Sequence, residues 1–453
     1  MRTVRLDAQS KQDLLTRLLK RNTTQYPEYE ARVASIVDDV KTRGDEAVFE
    51  YTERFDKVRL DASSVKVTDE EIEEAYSQVD PGLVEIIRKA IANIRAFHEK
   101  QLDKSWFETK DNGIILGQRV TALKRVGVYV PGGKAAYPSS VLMNVIPARV
   151  AGVDEIIMCT PCAPAGKADK ADMDNIQGNG TQTGDISSFG KVYPTTLVAA
   201  KEAGVDAIYK VGGAQAVAAM AYGTDSIPKV DKIVGPGNIY VALAKRAVYG
   251  NVSIDSIAGP SEILVLADET ANPRYVAADM LSQAEHDELA SAICITTSEE
   301  LARKVTEEIE GFCRKLERRE IIEKSLENFG FILIADNMKD AVNAANEIAS
   351  EHLEILTANP FETMTGIRNA GAIFLGEYSS EPLGDYFAGP NHILPTNGTA
   401  KFFSPLCVND FLKKSSIISY SQEALAAVHK DIETFAKAEG LTAHANSIAV
   451  RFE

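Results

Sequence analysis

The sequence predicts an α/β fold with two αβ layers in tandem. From about residue 120, short apolar segments such as RVGVYVP alternate with Ala-rich helical segments, as expected of βαβ units with a mostly parallel sheet. The alternation resumes after SIAGPSEILVLAD and continues to EILTA. The chain has 453 residues, of which 45% are hydrophobic and 25% charged, so it is long enough for about three domains with buried cores.

The elements follow, in chain order, from the spacing of the apolar residues. Up to about residue 105, apolar residues recur every three or four positions among many charges, which predicts amphipathic helices. Two series of buried strands come next, at RVGVYVP, EIIMCTP, AIYKVGG and KIVGPG, then at EILVLAD, SAICITTS, FGFILIAD and EILTA. Two helices between the later strands are predicted to extend through SQAEHDELA and ASEHL. Residues 377–405 are rich in Gly, Pro and Asn and predict a long irregular segment, of the kind that often carries function.

Composition and charge exclude several classes of protein. Lys and Arg number 49 against 65 Asp and Glu, and a net charge of -16 would repel a nucleic-acid backbone. No apolar run reaches the ~20 residues of a membrane helix, and the first residues lack the apolar stretch of a signal peptide. Five cysteines do not form a secreted disulfide framework and favour a reducing, cytoplasmic compartment. The polar segment 166–190 predicts a mobile surface loop.

Glycines mark three predicted strand-to-helix turns: Gly132 and Gly133, Gly212 and Gly213, and Gly235 and Gly237. Glycine there leaves backbone N–H groups open to a phosphate at a helix N-terminus. None of the turns fits GxGxxG or the P-loop spacing, so each alone indicates a tight turn. Together they favour a nucleotide beyond the strand ends. Cys159 and Cys162 end a strand without a second CxxC, which is typical of buried thiols.

Four of the six histidines lie in polar surroundings that indicate a site, whereas His98 and His429 fall in charged amphipathic helices. Each of the four stands near an amide or a carboxylate: His286 with Gln283, His352 with Glu351, His392 with Asp385 and His444 with Glu439. Gln283 and His286, three apart on a predicted helix, could share a metal. Zinc takes imidazole nitrogen and carboxylate oxygen, but a Gln ligand is unusual, so this spacing alone has low specificity.

These segments together resemble the histidinol dehydrogenase family, zinc enzymes of histidine biosynthesis. The similarity extends over nearly the whole chain and includes VGGAQAVAAMAYGT, DMLSQAEHD, SEHLEI and GDYFAGPNHILPTNGTAKF. It implies two tandem degenerate Rossmann-like αβα domains of the aldehyde-dehydrogenase type, with a helical N-terminal segment and a C-terminal dimerisation arm. The implied boundaries are 1–30 for the N-terminal segment, 31–122 with 259–376 for the catalytic domain, 123–258 for the dinucleotide-binding domain and 377–453 for the arm.

The resemblance also implies an activity and the residues that carry it. Family members oxidise L-histidinol through L-histidinaldehyde to L-histidine, with NAD and one zinc ion per subunit. The implied zinc ligands are Gln283, His286, Asp385 and His444, and the implied catalytic pair is Glu351 and His352. Implied substrate contacts come from the zinc ligands, His352, Ser261, His392 and Glu439, and implied dinucleotide contacts come from Tyr129, Gln215 and Asn238.

The implied assembly is a homodimer in which His444 and Glu439 complete the partner's site, with no nucleic-acid or membrane partner. Three alternatives stay open at this stage. A paralogue could use the same scaffold to oxidise another polar alcohol, such as a sulfonated diol. A zinc hydrolase with Glu351 as base would be active without NAD. A non-catalytic nucleotide-binding protein would keep its function after loss of His352.

Overall fold

A computed structural model of the chain describes residues 1–19, 21, 27–132, 136–163, 190–257 and 259–453. Gly133 and all but the last residue of the polar segment 166–190 lie outside the described residues. Two compact units divide the chain. The first contains Met1–Gln101 and Leu123–Phe411, and the second contains Leu102–Ala122 and Leu412–Glu453.

The helices and strands are numbered in chain order through both units. The α-helices of the described residues are α1 (Ala8–Leu19), α2 (Pro27–Arg43), α3 (Asp45–Asp56), α4 (Asp69–Gln78), α5 (Pro81–His98), α6 (Pro138–Ala151), α7 (Pro194–Ala203), α8 (Gly213–Tyr222), α9 (Ile239–Val248), α10 (Pro273–Ala284), α11 (Glu299–Cys313), α12 (Arg319–Phe329), α13 (Met338–Ile348), α14 (Pro360–Met364), α15 (Glu381–Tyr386), α16 (Gln422–Ala438) and α17 (Thr442–Ala449). The strands are β1 (Arg2–Arg5), β2 (Trp106–Lys110), β3 (Ile114–Ala122), β4 (Arg125–Tyr129), β5 (Glu155–Cys159), β6 (Ala207–Tyr209), β7 (Lys232–Val234), β8 (Ser253–Ile254), β9 (Glu262–Ala267), β10 (Ser291–Thr296), β11 (Gly330–Ile334), β12 (His352–Leu356), β13 (Ala372–Leu375) and β14 (Leu412–Ser419).

The first unit contains a five-stranded parallel sheet in the order β6-β5-β4-β7-β8. The strand order reverses between β4 and β7, so a crevice opens beyond their carboxyl ends. At that point Gly235 has a φ of 116°, and a Cβ there would lie 2.0 Å from the Tyr129 carbonyl oxygen. Only glycine allows this approach of the two strand ends.

The helices α2 to α5 pack on the five-stranded sheet. Their buried side chains share two apolar clusters with β4 to β7, as with Val33 and Ile36 in one cluster and Ile87 and Ile94 in the other. The resemblance implies one domain made of residues 31–122 with 259–376. The domain boundaries stay a prediction, and this packing favours placing α2 to α5 with residues 123–258.

The first unit also contains a six-stranded parallel sheet in the order β1-β11-β10-β9-β12-β13. Its order reverses between β9 and β12, which pair with His352 opposite Ile263. The predicted α/β fold with tandem parallel layers is therefore confirmed. The N-terminal segment, predicted to be helical, supplies the edge strand β1 as well as α1, because Val4 pairs with Leu333.

The second unit consists of an antiparallel sheet, β14-β3-β2, with α16 and α17. Strands β3 and β14 pair from Leu412 opposite Ala122 to Ser419 opposite Ile115. These strands are almost three hundred residues apart in the chain, and β14 is mostly exposed whereas β3 is mostly half-buried. They therefore lack the buried apolar runs that mark the parallel strands, and the sequence did not indicate this sheet.

Two predicted helices end early, and both ends lie in the candidate site. Helix α10 ends at Ala284, so His286 lies in the following turn, where the Asp287 carboxylate accepts a hydrogen bond from the Leu289 N–H at 2.9 Å. Helix α13 ends at Ile348 because Ala349 takes the left-handed conformation, with a φ of 53°.

Two further sequence expectations bear on the class of protein. Cys159 and Cys162 are free, buried thiols, as predicted, and burial raises the pKa of Cys162 to about 12. Within the part of the chain that the structure describes, no helix combines the length and the apolar character needed to cross a membrane.

Candidate active site

His352 is the first residue of β12 and lies buried at the amino end of the six-stranded sheet. Its Nδ1 is 3.0 Å from the backbone carbonyl oxygen of Glu262, the first residue of β9. A carbonyl can only accept, so Nδ1 carries the proton and Nε2 keeps its lone pair. Burial lowers the pKa of His352 to about 4, although the Asp385 carboxylate opposes the shift. The imidazole is therefore neutral at pH 7, with Nε2 free to accept a proton.

Glu351 precedes this histidine and is also buried. Its Oε2 accepts a hydrogen bond from the Glu262 N–H at 2.9 Å and lies 3.8 Å from the His352 Nδ1. Burial raises the pKa of Glu351 well above its usual value, and the carboxylates of Glu262 and Asp385 raise it further. A carboxylate with a raised pKa is a stronger base once it is ionised.

The start of β9 is held in place by an ion pair and by hydrogen bonds to residues distant in the chain. The Glu262 carboxylate forms a buried ion pair with Arg21 and accepts a hydrogen bond from the Asn397 N–H at 3.2 Å. Arg21 also donates to the Leu289 carbonyl oxygen at 3.0 Å. These contacts fix the strand end that orients both Glu351 and His352.

Asp385, on α15, is the point at which the predicted histidines meet. Its Oδ1 lies 3.9 Å from the His352 Nε2 and 3.6 Å from the His392 Nδ1. Burial acts to raise the pKa of Asp385, but the hydrogen bond with His392 and the electrostatic interactions with the rings of His392, His352 and His286 outweigh it, so the pKa is lowered. The carboxylate is thus ionised and able to bind a cation.

The end of α10 lies against α15 and brings Gln283 and His286 to the same place. The Ser282 hydroxyl donates to Glu381 Oε2 at 3.1 Å, which joins the two helices. Gln283 is fully buried, whereas His286 is exposed in the turn beyond it. Desolvation of its ring lowers the pKa of His286, and the nearby Asp385 carboxylate opposes this shift.

The Gly-rich segment 377–405 carries Asp385 and His392 between the two layers. The Asn391 side-chain amide donates to the Met143 carbonyl oxygen of α6 at 2.7 Å. Further along, the Thr396 hydroxyl accepts from the Gly259 N–H, just before β9, at 2.7 Å. The segment is not irregular throughout, because it contains the short helix α15 (Glu381–Tyr386). These anchors fix the rest of it, which is largely without regular structure.

Behind Asp385 lies a group of buried carboxyls that the sequence analysis missed. Glu354 Oε1 accepts from the Glu381 N–H at 2.8 Å. Burial raises the pKa of Glu381 to about 8 and that of Asp279 to about 6, and it raises the pKa of Glu354 well above its usual value. These residues lie far apart in the sequence, so no local spacing could have indicated that they meet.

The donors gathered here fit a metal ion. One ligand atom from each of His352, Glu381 and Asp385 lies within 4.8 Å of the other two. Both amide atoms of Gln283, as well as the His352 Nε2 and the His392 Nδ1, are buried and lack a hydrogen-bond partner among the described residues. Buried polar atoms are normally paired, and imidazole with carboxylate is a donor set that zinc accepts. This cluster shares Asp385 with the implied ligand set and adds Glu381.

The remaining implied residues have different surroundings. Ser261 precedes β9 at the same amino edge of the sheet, and its carbonyl oxygen accepts from the Ser291 N–H at 3.0 Å. His444, on α17, and Glu439, just after α16, belong to the second unit and are both exposed. Their participation in a site stays a prediction.

The implied dinucleotide residues line one cavity of about 900 Å³ beyond the carboxyl ends of the five-stranded sheet. The Tyr129 hydroxyl, at the end of β4, accepts from the Gly213 N–H at 3.1 Å. Gln215 is buried at the start of α8. The Asn238 side chain accepts from the Tyr240 N–H at 3.0 Å and so caps α9. The cavity lies where the strand order reverses, which is the usual place for a ligand in such sheets.

Comparison with known proteins identifies relatives of the whole chain. The family model described as histidinol dehydrogenase matches residues 19–183 and 182–452. The histidinol dehydrogenase of Caldanaerobacter subterraneus subsp. tengcongensis is 55% identical over 439 residues, covering 97% of this chain and 96% of that protein. That of Bacillus subtilis (strain 168) is 56% identical over 419 residues, covering 92% of each. The crystal structure of histidinol dehydrogenase from Elizabethkingia anophelis has a TM-score of 0.88 at 34% identity, covering 100% of this chain and 98% of that one.

The two parallel sheets, the cluster of histidines and carboxylates, and these matches define an oxidoreductase of the α/β class. The chain belongs to the histidinol dehydrogenase family, which assigns it to histidine biosynthesis.

Proposed function

We propose that this chain oxidises L-histidinol in two steps, through L-histidinaldehyde to L-histidine, with zinc and NAD. The observation that carries the proposal is the state of His352. Its Nδ1 proton is committed to the Glu262 carbonyl oxygen, and its free Nε2 faces Asp385, next to the buried Glu351. A general base next to a cation-binding carboxylate is what removal of a proton from an alcohol requires.

Zinc is held in this proposal by Gln283, His286 and Asp385, with His444 as the fourth ligand. The buried amide of Gln283, which lacks a hydrogen-bond partner in the described part of the chain, supports its role as a ligand. When bound, the ion supplies Lewis-acid polarisation and a template for the amino alcohol. Two NAD molecules, bound one after the other, would each accept one hydride.

In the alcohol step, His352 Nε2 accepts the hydroxyl proton as the hydride leaves the adjacent carbon. A neutral imidazole is required for this role, and burial of His352 keeps it neutral at pH 7. The proton cannot go to Nδ1, because that nitrogen already donates to a main-chain carbonyl. Tyr129, Gln215 and Asn238 bind the dinucleotide.

In the aldehyde step, Glu351 takes a proton from the water that attacks the aldehyde carbon, which gives the hydrate. Loss of hydride from the hydrate to a second NAD, with one hydroxyl proton taken by His352 Nε2 and the other released to solvent, then yields the carboxylate of L-histidine. Burial raises the pKa of Glu351, so its carboxylate, once ionised, is a stronger base for the proton of the attacking water. One site for both steps keeps the reactive aldehyde from bulk water. Ser261, His392 and Glu439 contact the substrate's polar groups.

The proposed function is tested by incubating the purified, zinc-loaded protein with L-histidinol and NAD. We expect two NADH for each L-histidinol consumed and L-histidine as the product. Turnover of a sulfonated diol without any NADH formation from L-histidinol would contradict the proposal and favour a paralogous dehydrogenase. Hydrolytic activity without NAD would contradict it in favour of a hydrolase.

Replacement of His286 by alanine is expected to weaken zinc binding, because it removes an imidazole ligand. Loss of an outer-shell partner already costs roughly 10–100-fold in metal affinity, so loss of a ligand should cost at least about 100-fold. Chelator competition measures the affinity, and His429→Ala, in a half-buried histidine of α16, is the matched control. Parental zinc affinity in His286→Ala would remove this residue from the ligand set.

We further propose a homodimer in which His444 and Glu439 of one subunit complete the site of the other. Co-expression of His352→Ala and His444→Ala chains with different tags then yields hybrids with one intact site. The hybrid should recover about half of the parental turnover per dimer, whereas each variant alone is inactive. An inactive hybrid, verified by both tags, would indicate sites built within one chain.

A further inference from the structure

The carboxylate of Asp56 lies in the wall of the dinucleotide cavity, and the proposed mechanism gives it no role. Asp56 is the last residue of α3 and lines this cavity. One of its oxygens accepts a hydrogen bond from the Gly212 N–H. Its Oδ2 is buried and has no hydrogen-bond partner within the ranges that the structure describes. A buried carboxylate oxygen without a donor is rare in native proteins and indicates a place for one.

The neighbouring side chain of Gln215 also has buried polar atoms without a hydrogen-bond partner among the described residues. Gln215, at the start of α8, is 1% exposed, and both of its amide atoms lack a partner in the described ranges. The Tyr129 hydroxyl accepts from the Gly213 N–H. Asp56, Gln215 and Tyr129 therefore surround the glycine turn before α8, and all three line the cavity. The turn presents polar atoms that a hydroxylated ligand could pair.

The cavity is lined by exposed arginines and by the carboxylate of Asp56, which lies deeper. Arg32 and Arg54 line it from α2 and α3, and both are exposed. The Arg54 guanidinium lies 5.4 Å from the centre of the Phe55 ring. Arginines suit the pyrophosphate of a dinucleotide. The buried Asp56 carboxylate suits hydroxyl donors instead and would repel a phosphate.

We propose that Asp56 accepts hydrogen bonds from the 2′- and 3′-hydroxyls of the dinucleotide's adenosine ribose and thereby selects NAD over NADP. The inference rests on the dehydrogenase function proposed above and adds a specificity-determining residue to it. A carboxylate pairs a ribose diol in many dinucleotide sites, and the 2′-phosphate of NADP would bring a second anion against it.

The ionisation of Asp56 agrees with this role. Burial raises the pKa of Asp56 to about 6, while the Gly212 N–H opposes the shift. The carboxyl is therefore largely ionised at pH 8, where it accepts hydrogen bonds without donating one.

The test compares the binding of NAD and NADP to the zinc-loaded protein at pH 8, by equilibrium dialysis without substrate. Asp56→Asn keeps an oxygen for the Gly212 N–H and removes the charge, and Asp38→Asn, an exposed residue of α2, is the matched control. We expect the parent and the control to prefer NAD strongly. In Asp56→Asn, the ratio of NAD to NADP affinity should fall by about tenfold or more, as for loss of a charged hydrogen bond.

Equal losses for the two dinucleotides would overturn the inference, because Asp56 would then only hold the glycine turn. Unchanged binding of both, or no binding to the parent, would also overturn it. If Asp56→Asn does not fold, as judged by circular dichroism, Asp56→Ser gives the same comparison. The readout is binding, so it does not depend on catalysis. If Asp56→Asn loses the selectivity for NAD but the parent protein does not oxidise L-histidinol, the proposed function is contradicted and this inference is not.

Discussion

Replacement of His352 by alanine is expected to lower kcat for L-histidinol oxidation by about 10³-fold, within the range for loss of a general base. Nε2 is the atom that accepts the proton, and its lone pair is available because Nδ1 donates to the Glu262 carbonyl oxygen. Steady-state NADH formation at saturating L-histidinol and NAD measures the effect. His429→Ala is the control, as a half-buried histidine of the second unit to which no role in the site is assigned.

Zinc content separates two roles that the geometry of His352 allows. Its Nε2 lies 3.9 Å from Asp385 Oδ1 and belongs to the group of atoms that could hold a metal. If His352 is the base, His352→Ala retains one zinc per subunit while turnover collapses. Loss of both zinc and turnover would make it a ligand instead, and a kcat within tenfold of the parent's would contradict the assignment as base.

Replacement of Glu351 by glutamine is expected to separate the two half-reactions. Glutamine keeps an oxygen for the Glu262 N–H, which now meets Glu351 Oε2 at 2.9 Å, but it cannot take a proton from water. Oxidation of L-histidinaldehyde should fall by about 10²-fold or more, whereas oxidation of L-histidinol to the aldehyde should change by less than about threefold. This expectation follows because only the second step needs an activated water.

The two steps are measured separately, with L-histidinaldehyde supplied directly for the second and single-turnover NADH formation for the first. Glu347→Gln, an exposed carboxylate of α13 that pairs with Lys11, serves as the control. Equal losses in both half-reactions would contradict a specific role for Glu351 in water activation and would indicate a general disturbance of the site.

Much of the fold could be predicted because its signal is local. Each buried parallel strand is a short apolar run followed by a helix, and β9, β10 and β12 were all located from that pattern. The ends of α10 and α13 could not be located, because the turn that follows Ala284 and the left-handed conformation of Ala349 are features of backbone geometry that spacing does not encode. The antiparallel pairing of β3 with β14 depends on partners distant in the chain.

The site was predictable in part, for a related reason. Histidines next to carboxylates are visible in the sequence, and His352, His392 and Asp385 do meet. Glu381 was not selected, because the short helix α15, which carries both Glu381 and Asp385, lies in a segment that the sequence predicts to be irregular. Asp56 was missed because its place depends on α3 packing over a sheet that begins some seventy residues later.

The partner that orients His352 is a main-chain carbonyl, which every residue possesses. No substitution at position 262 can delete this acceptor, so a scan of side chains would leave the orienting group unseen. What sets it is the alignment of β9 with β12, in which His352 lies opposite Ile263. A slip of one residue between these strands would turn the imidazole to the opposite face. The pairing of β9 with β12 therefore determines the tautomer of His352. Substitutions of the nearby side chains can occur without changing that tautomer.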